Sequence, residues 1–107
     1  MSFSPDRTTD IMKQAHHNGT LHLLNKVPGH PRFVTCLTTL SDQDRLVLIE
    51  NAVLALSDTD TTLPPHTVAL ETDLEARGLS DTVASEQRIS HSQLVQLTEH
   101  YSRIISW

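Results

Sequence analysis

The sequence predicts an α/β fold, with a small, mostly parallel sheet of about five strands and helices on both faces. Three observations carry this prediction. Short apolar segments alternate with helical patterns along the chain, and this order favours a parallel sheet. Residues 46–49 are apolar at four consecutive positions, as in a central strand that is buried on both faces. The chain of 107 residues has the length of one domain.

The first half of the chain predicts two strands and two helices. Residues 20–25 predict the first strand, and the prolines and glycine of KVPGHP then impose a loop. The second of these prolines suits the first turn of a helix over residues 31–40. Residues 45–50 predict the second strand. Residues 51–58 predict a short helix, with its leading asparagine as the N-cap.

The second half continues the same alternation. Residues 66–71 predict the third strand. Residues 72–78 predict a helix, with Thr72 or Asp73 as its N-cap and Gly78 as its C-terminal stop. A weak strand, a helix and a short closing strand follow over residues 88–90, 90–102 and 103–107. One apolar stripe of that helix consists of Leu94, Leu97 and Tyr101.

The polar composition of the N-terminus divides the chain. Residues 1–19 have no apolar pattern and predict a mobile extension, whereas residues 20–107 predict the folded domain. The extension lacks the apolar run of a signal peptide, and no segment could span a bilayer. A single cysteine cannot form an internal disulfide, so a disulfide-stapled secreted domain is excluded. A soluble cytoplasmic protein is expected.

Charge and motif content exclude several function classes. The formal net charge is −5 and no Lys/Arg cluster occurs, so direct nucleic-acid binding is not expected. Three glycines cannot form a phosphate-binding loop, and no paired acid–base pattern indicates an independent enzyme. The seven histidines lack the spacing of a zinc site, so neither a metal nor a cofactor is predicted. They are His16, His17, His22, His30, His66, His91 and His100.

Four stretches in order resemble the TusB/DsrH family. The stretches are LHLLNKVP, RLVLIENAVLAL, ALETDLEARGL and HSQLVQLTEHYSRIISW. They carry a Leu-His strand start, an acidic strand end before an Ala-rich helix, an Asp-Leu-x-Ala-Arg-Gly segment and a tail closing on tryptophan. The resemblance covers roughly residues 20–107, nearly all of the chain outside the predicted extension. One departure is Asn51-Ala52, where the family often has Asp-Gly. The missing glycine suggests that this turn needs no positive φ.

The resemblance implies a DsrE/F-like fold and a place in a sulfur-relay complex. Family members assemble with TusC-like and TusD-like subunits, or DsrF-like and DsrE-like ones, in a dimer of heterotrimers. In the Tus branch, persulfide sulfur passes from a TusA-like carrier through the complex to a TusE-like carrier, for 2-thiolation of the tRNA wobble uridine. In the Dsr branch the complex serves sulfur oxidation. A third reading, an isolated flavodoxin-like binding domain, would make the family match accidental.

Cys36 is the candidate persulfide site, and two readings of it stay open. It lies at the edge of an apolar helix stripe, where a buried and inert cysteine is common. By the resemblance, this subunit commonly has a cysteine in the corresponding helix in the Dsr branch. In the Tus branch it often has none, and the TusD-like partner carries the sulfur. Cys36 is therefore either an accessory sulfur site, near Arg32 and a helix start, or a packing residue in a subunit that organises the complex.

Several other side chains are candidates for structural or functional roles. His22 predicts a hydrogen-bonded structural residue. His30 precedes the Cys36 helix and could approach the sulfur. Lys26 ends the first strand, where it is either a solvated loop lysine or a positive charge for a persulfide or a partner's carboxylate. Glu50 ends the second strand at the same edge. Asp73 and Arg77 have the i, i+4 spacing of a helix salt bridge.

Overall fold

Five strands form one parallel sheet in the computed structural model, which describes residues 17–107. The strands are β1 (His17–Leu24), β2 (Arg45–Leu48), β3 (Val68–Leu70), β4 (Arg88–Ile89) and β5 (Tyr101–Ser106). The helices are α1 (Pro31–Thr39), α2 (Glu71–Ala76) and α3 (His91–His100), with 3₁₀-helices at Glu50–Ser57, Ser80–Thr82 and Ser85–Gln87. The predicted α/β class is confirmed. None of the helices within residues 17–107 is long and apolar enough to cross a membrane.

The strand order is β4-β3-β2-β1-β5, and every neighbouring pair is parallel. The chain therefore adds β2, β3 and β4 on one side of β1 and then places β5 on its other side. In open parallel sheets, functional crevices form at the carboxyl ends of the strands where this direction reverses. Here that switch point lies between the ends of β1 and β5.

Two apolar clusters cover the two faces of the sheet, as predicted. One face packs against α1, the 3₁₀-helix Glu50–Ser57 and α2, and its cluster includes Leu24, Cys36 and Leu48. The other face packs against α3, with Val47 of the sheet in a cluster that Leu94 and Leu97 extend. Strand β2 contributes to both clusters, so the run of apolar residues that predicted a central strand is confirmed.

The structure differs from the predicted boundaries at three places. Strand β1 begins at His17, because backbone pairing with Tyr101 extends it into the predicted extension; residues 1–16 lie outside the described part. Residues 50–57 form a 3₁₀-helix without the predicted Asn51 cap, and its end has an i→i+3 bond from Asp58 N to Ala55 O. Tyr101 is extended and opens β5, although its buried ring still packs with the α3 stripe.

The predicted stop at Gly78 is confirmed, and its backbone explains why glycine stands there. Gly78 has a φ of +70°, in the left-handed region that favours glycine. The Leu79 N–H bonds to the Leu74 carbonyl at 2.9 Å, and the Gly78 N–H bonds to the Glu75 carbonyl at 3.1 Å. These two bonds form the Schellman ending of helix α2. The predicted caps at Thr72 and Asp73 are wrong, because Leu70 is the N-cap.

Candidate functional site

Cys36 lies on the side of α1 that faces the sheet. It is the sixth residue of the helix and its side chain is completely buried, with 0% exposure. The cluster around this face is apolar and includes Phe33 on the same helix and Leu24 on β1. This position follows from the helix pattern, since Phe33 and Cys36 are three positions apart on one helix face.

The surroundings of Cys36 do not activate a thiol. Burial raises its pKa from 9.0 to about 11, so on the order of one thiol in ten thousand is ionised at pH 7. The dipole effect of a helix is confined to its first turn, and Cys36 lies beyond that turn of α1. His30 is occupied at the helix start, where its Nδ1 accepts a hydrogen bond from the Arg32 N–H at 3.0 Å. Arg32 is exposed.

Lys26 joins the ends of β1 and β5 at the switch point. Its Nζ donates to Asn25 Oδ1 at 2.6 Å and to the backbone oxygen of Trp107 at 2.9 Å. The Trp107 N–H in turn bonds to the Leu23 carbonyl at 2.9 Å. Lys26 therefore fastens the closing strand to the first strand. It is neither a free loop lysine nor an isolated positive charge.

Glu50 lies in a strained turn that α2 supports. Its φ is +51°, unusual for a residue with a side chain, and its N–H donates to Asp73 Oδ2 at 2.8 Å. Arg77 donates from Nε and Nη2 to Asn51 Oδ1, at 3.1 and 2.9 Å. The predicted Asp73–Arg77 salt bridge is also present, at 3.8 Å. The expectation that this turn needs no positive φ is wrong, because the left-handed residue is Glu50, one position before Asn51.

A partly buried hydrogen-bonded triad links Asp44, His22 and Trp107, and only His22 of the three was predicted as hydrogen-bonded. The Trp107 indole Nε1–H donates to His22 Nδ1 at 3.0 Å, and His22 Nε2 lies 2.9 Å from Asp44 Oδ2. The His22 and Trp107 rings are also stacked, with centroids 6.1 Å apart. No local sequence pattern indicates this triad, since Asp44 and Trp107 lie 22 and 85 positions from His22.

The carboxylate of Asp44 is the charged member of this hydrogen-bonded triad. Burial by itself would raise the pKa of Asp44. Hydrogen bonds from the Thr20 N–H, from His22 and from Ser41 outweigh burial and lower the pKa to about 2. Asp44 Oδ1 accepts from Thr20 N at 2.9 Å, while Oδ2 accepts from Ser41 N at 3.2 Å. The carboxylate is therefore a structural acceptor that ties β1 to the approach of β2.

The remaining histidines are dispersed. His66 precedes β3 with a φ of +66°, and its carbonyl oxygen accepts from Arg45 Nε at 2.8 Å. His91 and His100 are the first and last residues of α3. His17 opens β1, and His16 is outside the described residues. Within the part of the chain that the structure describes, no three His, Cys, Asp or Glu side chains group as metal ligands do.

Comparison of the sequence with known proteins identifies its family. The family model described as DsrH like protein matches residues 28–104. Protein TusB of Escherichia coli O81 (strain ED1a) is 32% identical over 94 residues, which cover 81% of this chain and 99% of that protein. Protein TusB of Shigella boydii serotype 18 has the same identity and coverage. Protein TusB of Enterobacter sp. (strain 638) is 30% identical over the same shares.

These matches confirm the resemblance that the four sequence motifs indicated. They support a role in sulfur relay and suggest a complex with other subunits. The matched region includes most of the described structure, from the loop after β1 into β5. With a family model over residues 28–104 and relatives aligned along nearly their whole length, this chain belongs to the DsrH family.

Proposed function

We propose that this chain is the organising subunit of a sulfur-relay complex of the TusBCD kind. The complex delivers persulfide sulfur for 2-thiolation of the tRNA wobble uridine. The chain binds TusC-like and TusD-like subunits in a dimer of heterotrimers in the cytoplasm. It receives sulfur only indirectly, from a TusA-like carrier, and the complex passes sulfur to a TusE-like carrier. The relatives named Protein TusB favour this branch of the family.

The burial of Cys36 is the observation that carries the proposal. A persulfide carrier needs a thiolate that a donor protein can reach. Cys36 has no exposed surface, and burial raises its pKa to about 11. These features support a packing role for Cys36 in a subunit that leaves sulfur transfer to another member of the complex.

The outer strand β5 supports a role in assembly. It is the last strand in the order of the five strands within residues 17–107. Ile104 and Ile105 point to opposite faces of the sheet and are 43% and 42% exposed. Partly exposed apolar side chains on both faces of one strand are suited to burial by a neighbouring subunit.

The proposal is tested in a bacterium that lacks its own TusB-like gene and keeps the rest of the relay. Wild type and a Cys36→Ala variant should restore the 2-thiouridine content of tRNA to the same level. Ile105→Glu, which places a charge on the β5 edge, should reduce thiolation and co-purification with the TusC-like subunit. A Cys36→Ala protein that assembles normally but does not restore thiolation would contradict the organising role and make Cys36 a persulfide carrier, as in the DsrEFH-type alternative.

A further inference from the structure

The hydrogen-bonded triad Asp44–His22–Trp107 determines which ring nitrogen of the buried His22 carries the proton. His22 is 1% exposed, and both of its ring nitrogens have partners within 3.0 Å. An indole N–H can only donate, so His22 Nδ1 must be the acceptor and carries no proton. The ring proton is therefore on Nε2, where it is donated to the Asp44 carboxylate. A neutral ring in this single tautomer satisfies all three side chains.

Asp44 does not change its charge over the range in which a histidine titrates. Its pKa is lowered to about 2, so the carboxylate stays ionised above about pH 4. Its side chain is 10% exposed and lines a groove of about 580 Å³ at the amino ends of β2 and β3. Through this groove, solvent can reach the Asp44 carboxylate of the triad. The imidazole is the one group of the triad that can both donate and accept, so it is the group whose two hydrogen bonds a further proton would change.

A second proton on His22 affects its two hydrogen bonds in opposite directions. The bond to Asp44 becomes charge-assisted and stronger. At the other nitrogen, an Nδ1–H would face the Trp107 Nε1–H, and two donors cannot bond to each other. Protonation therefore keeps the tie to Asp44 and removes the tie to Trp107.

The charged and titratable groups around His22 come from four elements. Asp44 approaches from the segment before β2 and attracts the imidazolium. Arg103 on β5 pairs with Thr20, so it lies on the same sheet face as His22. Lys26, after β1, is bonded to the backbone oxygen of Trp107. Cys36 on α1 belongs to the cluster that Trp107 packs against, and it stays neutral because its pKa is about 11.

We propose that His22 is a proton-operated latch for the Trp107 side chain. The neutral imidazole holds the indole against the α1 face of the sheet, and the protonated imidazole releases it. The backbone bonds from Trp107 N to Leu23 O and from Lys26 Nζ to Trp107 O do not involve the ring. Strand β5 therefore stays paired while the indole alone moves. Its release adds apolar surface beside Ile105, which is 42% exposed on the same face of the sheet.

Intrinsic fluorescence tests the latch directly, because Trp107 is the only tryptophan in the chain. The full chain is titrated from about pH 8 to about pH 5, the range in which histidines gain charge. Wild type should show a single step to longer emission wavelength as the pH falls. His22→Gln, which keeps a donor and an acceptor but cannot titrate, should show no step. The matched control His91→Gln, at the exposed start of α3, should keep it.

Two further measurements distinguish release of the indole from other causes of a change in emission. Circular dichroism should stay constant across the range, which separates indole release from unfolding. Nitrogen-15 NMR of wild type should show the neutral Nε2–H tautomer of His22 at pH 8, whether or not His22→Gln folds. A flat emission profile in wild type, a step that persists in His22→Gln, or an Nδ1–H tautomer at pH 8 would each overturn the latch.

Discussion

The chemistry of Cys36 depends on where one helix places it. A thiol near the start of α1 would lie close to partial positive charge, but Cys36 is past the first turn and faces the sheet. The apolar cluster desolvates its sulfur and raises its pKa to about 11. The residue type therefore allowed sulfur chemistry, and the surroundings favour packing.

Substitutions at Cys36 should separate packing from reactivity. Cys36→Ala removes one buried atom and should lower the free energy of unfolding by about 1 kcal/mol. Cys36→Ser buries a hydroxyl among apolar side chains and should cost about 1–3 kcal/mol more. Urea denaturation measures both values. Equal stability of Cys36→Ser and wild type would indicate an exposed thiol and contradict the packing role.

Asp44 should make folding stability depend on acid pH. Its pKa is about 2 in the folded state and 3.8 as a free group, so the unfolded chain binds the proton first. The stability that this carboxylate contributes is complete above about pH 5 and is lost as the pH falls through 3.8 towards 2 and below. Asp44→Asn should remove this dependence and cost about 1–3 kcal/mol at pH 7, because in either orientation the amide nitrogen would face a donor, Thr20 N–H or His22 Nε2–H.

Chemical denaturation at several pH values between about 2 and 7 measures this effect. Asp42→Asn is the matched control, since Asp42 is exposed in the same loop. Its pH profile should follow that of wild type. An Asp44→Asn protein that loses stability below pH 4 to the same extent as wild type would contradict the role assigned to Asp44.

At the scale of elements, α2 supports the turn that follows β2. Asp73 accepts from the backbone of Glu50, and Arg77 donates two bonds to Asn51. This arrangement gives a physical reason for the Asp-Leu-x-Ala-Arg-Gly segment: its charged residues hold a left-handed turn between two neighbouring strands. The salt bridge between Asp73 and Arg77 is long, at 3.8 Å, and partly exposed, so it contributes little by comparison.

Glycine substitutions in this turn should have opposite effects. Glu50→Gly relieves the positive φ of an exposed residue and should raise the free energy of unfolding by about 0.5–1 kcal/mol. Ala52→Gly, in the buried part of the adjacent 3₁₀-helix, should lower it by about 1 kcal/mol. Thermal or urea denaturation of the two variants checks the signs. A destabilised Glu50→Gly protein would contradict the strain.

The sequence predicted the elements better than their ends. Periodicity and turn residues are local signals, and they were sufficient for the alternation of strands and helices and for the stop at Gly78. The start of β1 depends on backbone pairing with β5, which no local signal contains. The Asn51 cap was wrong for a similar reason, because the Asn51 side chain is engaged by Arg77 from a different helix.

At the scale of the whole molecule, long-range partners decide the site. The family motifs indicated a Leu-His strand start and a closing tryptophan but not that the two rings meet. His22 and Trp107 lie 85 positions apart, and only the placement of β5 beside β1 brings them together. The same placement puts β5 last in the strand order of residues 17–107, with Ile104 and Ile105 partly exposed.

The partly exposed isoleucines of β5 should make the isolated chain self-associate. Wild type should form oligomers that grow with concentration, because the β5 isoleucines are available for burial. Ile104→Lys and Ile105→Lys should each shift the protein towards monomer. Val95→Lys, at a 55% exposed position on α3, is the matched control and should not. Sedimentation velocity measures these states, and a wild-type monomer at high concentration would contradict the expectation.

Intact-mass analysis decides whether this chain organises the relay without carrying sulfur. The chain is incubated with a cysteine desulfurase, cysteine, a TusA-like carrier and a TusD-like partner, alongside its Cys36→Ser variant. The TusD-like partner should gain one sulfur atom while this chain gains none. A gain of one sulfur atom on wild type that is absent from Cys36→Ser would contradict this expectation and make Cys36 a relay site.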